Sequence, residues 1–141
     1  MRKIYSFSAI LLVVLAGLFT SGCQHRTNDV SSGLVLPESA IQHGVVVWLK
    51  EPGNAEAREK VIEATYGFAE IPGVLAVTAG PPKLSEREVV DDSFDVALVI
   101  TFADEEAYAE YLPHPLHRQA VEEVIRPLVE RFVVYDFHPA R

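Results

Sequence analysis

The chain has 141 residues, of which 49% are hydrophobic, and its formal net charge at pH 7 is -8. This length fits one domain of ordinary size. The acidic balance, without a basic stripe, argues against nucleic-acid binding and against electrostatic docking on anionic lipid. Cys23 is the single cysteine, which excludes an internal disulfide.

Residues 1–22 have the pattern of a secretory signal. Arg2 and Lys3 precede an uncharged, mostly apolar run, which is typical of a signal peptide and short for a membrane-spanning helix. The run ends in Phe19-Thr-Ser-Gly-Cys23, which resembles a bacterial lipobox, where the cysteine is lipidated after cleavage. We therefore expect a lipoprotein of the bacterial cell envelope, anchored through Cys23. An uncleaved helix or ordinary cleavage that leaves a free thiol are the alternatives.

Residues 23–42 are expected to form the lipidated N-terminus and a flexible tether, because they are mostly polar and small. A flexible coil of this length would hold the domain about 25 Å from the lipid. Loss of Arg2 and Lys3 with the signal would change the net charge from -8 to -10. The lipid anchor is therefore the expected membrane contact.

The domain is predicted to span residues 43–138. Its first half begins with a predicted strand at Gly44–Lys50, which is rich in β-branched residues. Asn54 is suited to cap a following helix. Its apolar positions recur at helical spacing: Val61, Ala64 or Thr65, and Phe68. Ile71-Pro-Gly73 should end this helix, and Val74–Thr78 is the second predicted strand.

The second half follows a charged loop at residues 83–92 and opens with the clearest strand, Ser93–Phe102. Its bulky face is expected to pack against helices, and its other face is smaller. The bulky residues are Phe94, Val96, Leu98, Ile100 and Phe102, and the smaller face has Asp95, Ala97, Val99 and Thr101. Asp104 should cap the next helix, and Phe132–Phe137 is the last predicted strand.

Between the last two helical patterns lies Tyr111-Leu-Pro-His-Pro-Leu-His117. Its two prolines predict that one helix ends and another begins near His114. Pro127 should kink the second helix or mark its frayed end.

The predicted order β-α-β-β-α-β is that of an α+β, ferredoxin-like fold, a four-stranded antiparallel sheet with helices on one face. The other sheet face then presents apolar residues such as Ala97 and Val99, and a surface of this kind normally meets a partner. We therefore expect a homodimer.

Six segments, in this order and spacing, resemble the stress-responsive A/B barrel domain, also called the Dabb domain. They are His43 before an apolar strand, Ile71-Pro-Gly-Val74, Phe94-Asp-Val-Ala-Leu98, Phe102-Ala-Asp-Glu105, Tyr111-Leu-Pro-His-Pro-Leu-His117 and Val134-Tyr-Asp-Phe137. The resemblance implies a ferredoxin-like fold whose sheets pack face to face in a dimeric α+β barrel. Most members have no assigned reaction, but a plant polyketide cyclase of this family closes a ring by aldol-type chemistry without metal or cofactor. The resemblance places its working phenol and histidine at Tyr111 and His117, and further site residues at His43 and Asp136.

These four residues are the candidate catalytic groups. A carboxylate partner would fix the tautomer of a histidine and leave its other nitrogen as a general base, and the sequence allows either His117 or His43 to pair with Asp136. Tyr111 would polarise a carbonyl. A histidine beside prolines at a helix junction could instead cap a helix or satisfy backbone groups in the core. The spacing of His114 and His117 also allows a metal site, with Asp136 or His43 as a third ligand, although the proline between them makes this less favourable.

Two functions follow from the sequence. The first, which we favour at this point, is a stress-associated or small-ligand-binding dimeric module on a membrane. The second is a cyclase, lyase or isomerase, with His117 as base and Tyr111 as polariser, acting on an apolar or carbonyl-containing ligand. We predict no metal, no cofactor and no nucleic-acid partner. The binding module requires a modest apolar cavity between the sheet and the helices. Catalysis requires His117, Tyr111 and His43 within hydrogen-bond reach of one shared, enclosed pocket, whereas a structural role would bury them apart or point them to solvent.

Overall fold

The computed structural model of the protein describes residues 36–140. Four strands and the intervening helices follow one another in the predicted order. The elements are β1 (Ile41–Leu49), α1 (Ala55–Tyr66), a 3-10 turn (Gly67–Glu70), β2 (Val74–Gly80), β3 (Val96–Phe102), α2 (Glu105–Tyr111), α3 (Pro115–Ala120), a π turn (Val121–Ile125), α4 (Arg126–Leu128) and β4 (Val129–Phe137). The strands form one antiparallel sheet in the order β2-β3-β1-β4, with the helices on one face. The predicted ferredoxin-like fold is confirmed.

Local sequence signals set most of these boundaries. The side chains of Asn54 and Asp104 accept hydrogen bonds from the first turns of α1 and α2, as expected of helix caps. A π turn precedes Pro127, and the helical segment ends one residue after this proline. This agrees with the predicted irregularity, because proline removes one helical hydrogen bond.

Two strands begin earlier than the sequence predicts. β1 begins at Ile41, two residues before the predicted start of the domain, because Ile41 is buried in the core and pairs with Phe102. β4 begins at Val129 rather than Phe132, because the buried Val129 pairs with Leu49. The charged residues that follow Val129 obscured this start, but an edge strand accommodates exposed charges.

Strand β3 packs its bulky face against the helices as predicted, and Val96, Leu98, Ile100 and Phe102 are all buried. Asp95 differs from the prediction, because it precedes the strand and is buried rather than placed on the outer face. Its carboxylate accepts hydrogen bonds from the backbone N–H groups of Leu49, at 2.9 Å, and Gly53, at 2.7 Å. Asp95 therefore ties the end of β1 to the turn before α1.

The turn between α1 and β2 is held tightly against α2. Gly73 has a φ of +84°, a left-handed conformation that favours glycine. A Cβ atom at this position would lie 2.4 Å from the Cβ of Ala107 and 3.2 Å from its Cα. Gly73 thus permits the close approach of the turn to the helix that bears Tyr108 and Tyr111.

The sheet face opposite the helices carries exposed apolar side chains around a centre of small residues. Strand register places Gly44, Val99 and Tyr135 side by side on this face. Ala97 lies on the same face of β3, two residues before Val99. Val99, Tyr135 and Phe137 are all exposed. Trp48 also lies on this face, stacked under the Arg131 guanidinium, whose central carbon is 3.4 Å from the ring centroid. None of the helices in residues 36–140 is long and apolar enough to cross a membrane.

Candidate functional site

A cavity of about 470 Å³ lies between the sheet and the helices. We call it the central cavity. Its walls are mainly apolar and include Val45, Val61, Phe68, Leu98, Ile125 and Val134. His43, Tyr111 and His117 also line it, so three of the four predicted catalytic residues share one cavity.

The fourth residue, Asp136, contacts the cavity through His43. The two residues pair across β1 and β4, and His43 Nδ1 lies 2.6 Å from Asp136 Oδ1. A carboxylate can only accept, so Nδ1–H donates, and in the neutral ring Nε2 carries the lone pair. Of the two pairings that the sequence allowed, His43 with Asp136 is the one that forms.

His117 is oriented by the backbone instead. Its Nδ1–H donates to the carbonyl oxygen of Leu112 at 3.0 Å, which leaves Nε2 as a lone-pair acceptor. Burial of the half-buried ring lowers the pKa of His117 below its usual 6.5, and the nearby His43 and His114 lower it further, against the opposing effect of the Leu112 hydrogen bond. His117 is therefore a neutral imidazole at neutral pH.

Tyr111 lies beside His117, with the two ring centroids 4.3 Å apart. Its side chain is almost fully buried, and no group within residues 36–140 hydrogen-bonds its hydroxyl. Burial raises the pKa of the Tyr111 hydroxyl well above its usual range, and Tyr108 adds to this shift. The hydroxyl therefore stays protonated and can donate a hydrogen bond to a molecule in the cavity.

His114 has a structural role in the junction between α2 and α3. Its Nδ1 accepts a hydrogen bond from the N–H of Leu116 at 3.3 Å, which caps α3, and Pro115 occupies the first turn of that helix. Within the described part of the chain, no three ligand-type side chains come together in a way that could hold a metal ion. His114 and His117 thus do not meet Asp136 at a common centre.

Tyr108 is a site residue that the sequence analysis did not single out. Its hydroxyl donates to Asp136 Oδ2 at 2.9 Å, so the two carboxylate oxygens serve His43 and Tyr108 separately. Burial raises the pKa of Tyr108, and the hydrogen bond to Asp136 adds to this. Tyr108 and Tyr111 are three residues apart, which predicts that they share a helix face. No signal close to Tyr108 in the sequence predicted its contact with Asp136.

The profile of the stress responsive A/B barrel domain, Dabb, matches residues 41–139. The chain belongs to the Dabb family. The match covers the whole sheet and every helix of the structure. Residues 1–35, with the predicted signal, Cys23 and most of the tether, lie outside the described residues.

Solved structures similar to this Dabb domain share its fold. A Dabb family protein of Mesorhizobium loti is 26% identical, with a TM-score of 0.59 over 72% of this chain and 98% of that one. A dimeric ferredoxin-like protein of unknown function from Thermobifida fusca is 24% identical, with a TM-score of 0.61 over 75% and 96%. A hydroxynitrile lyase of Passiflora edulis is 20% identical, with a TM-score of 0.60 over 74% and 97%. No functionally curated protein matches the chain.

Proposed function

We propose that this Dabb domain is an acid–base catalyst that removes a proton next to the carbonyl group of a small, mainly apolar molecule. The observation that carries the proposal is that His43, Tyr111 and His117 line one cavity. His117 offers a basic nitrogen, and Tyr111 offers a hydroxyl that has no hydrogen-bond partner among residues 36–140. This convergence of a base and a hydrogen-bond donor on one cavity supports the proposal.

The proposed reaction begins with a carbonyl compound whose apolar body lies against the valine-rich wall of the cavity. His117 Nε2 takes the proton from the carbon next to the carbonyl group, and the Tyr111 hydroxyl donates to the carbonyl oxygen as negative charge develops there. The enolate carbon then attacks a second carbonyl carbon, and the imidazolium of His117 returns its proton to the new alkoxide. His43, held by Asp136, is a second acid–base group in the same space.

A lyase reaction could use the same base, His117, and the same hydrogen-bond donor, Tyr111. A base that removes the hydroxyl proton of a cyanohydrin promotes release of cyanide and formation of a carbonyl group, to which a tyrosine hydroxyl can donate. The Passiflora edulis protein of similar fold is a hydroxynitrile lyase. Cyanohydrins are therefore a second substrate class to test.

A dimeric ligand-binding module, associated with stress responses, is the second candidate function. The apolar walls of the central cavity favour it, because an apolar pocket with few polar groups binds small molecules without any reaction. In that case Tyr111 and His117 would orient a ligand by hydrogen bonds alone.

Deuterium exchange distinguishes the two functions. The protein is incubated in D₂O with a panel of ketones and 1,3-diketones, and NMR follows deuterium entry next to the carbonyl group while calorimetry measures binding. Catalysis predicts protein-dependent exchange for at least one compound that binds. Binding without exchange would favour the module, and the absence of both would contradict both functions for these compounds.

We further propose that two Dabb domains pack sheet against sheet, which would cover Val99, Tyr135 and Phe137. Support comes from the exposed apolar face and from solved relatives described as dimeric, among them those of Thermobifida fusca and Bacteroides fragilis. Light scattering on residues 36–141, which retain all of β1, should give twice the monomer mass at micromolar concentration. Val99→Glu should give the monomer mass, because it would bury a charge in the interface. A monomeric parent protein would contradict the proposal.

We also propose that Cys23 carries the lipid that holds the protein in the bacterial cell envelope. Support comes from the signal-like residues 1–22 and the small residues before Cys23. Cys23→Ser should move the protein from the membrane fraction to the soluble fraction, since the lipid is the expected membrane contact. Ser21→Ala is the matched control and should stay with the membrane. Retention of Cys23→Ser in the membrane would instead indicate an uncleaved helix.

A further inference from the structure

Asp136 lies on edge strand β4, and its side chain is 40% exposed. A carboxylate so placed can turn toward water, where it is well solvated, and would then leave His43 without its partner. Two hydrogen bonds oppose this rotation. One comes from His43 Nδ1–H at 2.6 Å and the other from the Tyr108 hydroxyl at 2.9 Å.

Tyr108 is itself held firmly by packing. Its ring centroid lies 5.3 Å from that of Phe102 and 5.8 Å from that of His43. The phenol ring on α2 therefore has packing contacts besides the hydrogen bond that its hydroxyl donates to Asp136. Tyr108 does not line the central cavity, so its hydroxyl acts only through its neighbours.

We propose that Tyr108 is a positioning residue, whose hydroxyl fixes the Asp136 carboxylate so that His43 keeps its Nδ1–H tautomer with the Nε2 lone pair available to the central cavity. The chain Tyr108, Asp136, His43 joins α2, β4 and β1. Because Asp136 is partly exposed, the same chain connects the buried His43 ring to solvent. An effect of the Tyr108 hydroxyl on turnover rests on the proposed catalysis, whereas its effect on the His43 tautomer does not.

The test is Tyr108→Phe, which keeps the packed ring and removes only the hydroxyl. The full-length chain is labelled with ¹⁵N at histidine, and NMR measures the His43 tautomer and the rate at which its Nδ1 proton exchanges with water. We expect exchange to be about tenfold faster in the variant, the equivalent of one charge-assisted hydrogen bond. We also expect a second tautomer to appear.

Tyr66→Phe is the matched control, because within the described part of the chain the Tyr66 hydroxyl bonds only to the backbone of Ala79. It should leave the His43 signals unchanged. Asp136→Asn removes the charged acceptor directly and should reproduce or exceed the effect of Tyr108→Phe, with the fold checked by melting temperature. Unchanged His43 exchange and tautomer in Tyr108→Phe would overturn the inference.

Activity gives a separate measurement. Because His43 is the second acid–base group of the proposed catalysis, deuterium exchange of a responsive ketone should fall about tenfold in kcat for Tyr108→Phe. KM should change little, because the Tyr108 hydroxyl does not line the cavity. If the parent protein shows no exchange while the His43 signals still respond to Tyr108→Phe, the proposed catalysis fails and the positioning role stands.

Discussion

Replacing Gly73 with alanine should lower the free energy of unfolding by about 3 kcal/mol, the largest loss of stability that we expect from adding one methyl group. Two costs contribute. The φ of +84° places the new side chain in the left-handed region, at about 1–2 kcal/mol. The added Cβ would also lie 2.4 Å from the Cβ of Ala107, so α2 must shift, and overpacking of this kind costs about 1–3 kcal/mol. Urea unfolding of residues 36–141 measures the change.

Gly53 provides the matched control. Its φ is +78°, almost the same as that of Gly73, but a Cβ there meets no atom of the described residues within 4 Å. Gly53→Ala should therefore cost only the backbone strain, about 1–2 kcal/mol. Ala107→Gly should recover part of the loss when combined with Gly73→Ala, because it removes the overlapping methyl group. Equal losses for Gly53→Ala and Gly73→Ala would contradict the close packing of this turn against α2.

The strand alternation and the helix caps were predicted correctly, because each depends on residues that are close together in the sequence. The alternation from Val96 to Phe102 and the caps Asn54 and Asp104 depend on residues only a few positions apart. Each has a physical cause that acts within one strand or one helical turn. The order of the elements then restricts the topology to a few arrangements, of which the ferredoxin-like sheet is one.

The connections inside the site depend on tertiary register instead. His43 and Asp136 are 93 positions apart, and they meet only because β1 pairs with β4 in a register that places them opposite each other. No turn links these strands directly, so no local signal fixes that register. The same register brings Asp136 to Tyr108, which is why the role of Tyr108 was missed.

His117→Ala should reduce kcat/KM for deuterium exchange of a responsive ketone by about 10²–10⁴-fold, the usual contribution of a general base. The orientation of His117 supports this expectation, because its Nδ1–H is bound to the Leu112 carbonyl and its other nitrogen is the basic one. Loss of that hydrogen bond should cost about 1 kcal/mol of stability. A much larger loss, with turnover intact, would make His117 a structural residue.

His114→Ala is the control from the same junction. It removes the cap of α3 without touching the central cavity, so it should cost about 1 kcal/mol of stability and leave turnover near that of the parent protein. Similar losses of turnover in both variants would mean that the junction, rather than the His117 imidazole, is needed.

The pH dependence gives an independent measurement on the same group. Because burial lowers the pKa of His117 below 6.5, the base should remain neutral at mildly acidic pH, and half of the turnover should be lost only below pH 6.5. The same pKa shift makes the free energy of unfolding depend on pH. The unfolded chain binds the His117 proton more readily than the folded chain, because its His117 pKa is higher. The stability that depends on neutral His117 is therefore complete above pH 6.5 and is lost as the pH falls through the folded-state pKa. NMR titration of the His117 ring in the unliganded protein should give the same midpoint as the acid limb of kcat/KM, which reports groups of the free enzyme. A midpoint above 6.5 would contradict a buried, neutral base and would favour a histidine that binds ligands as a cation.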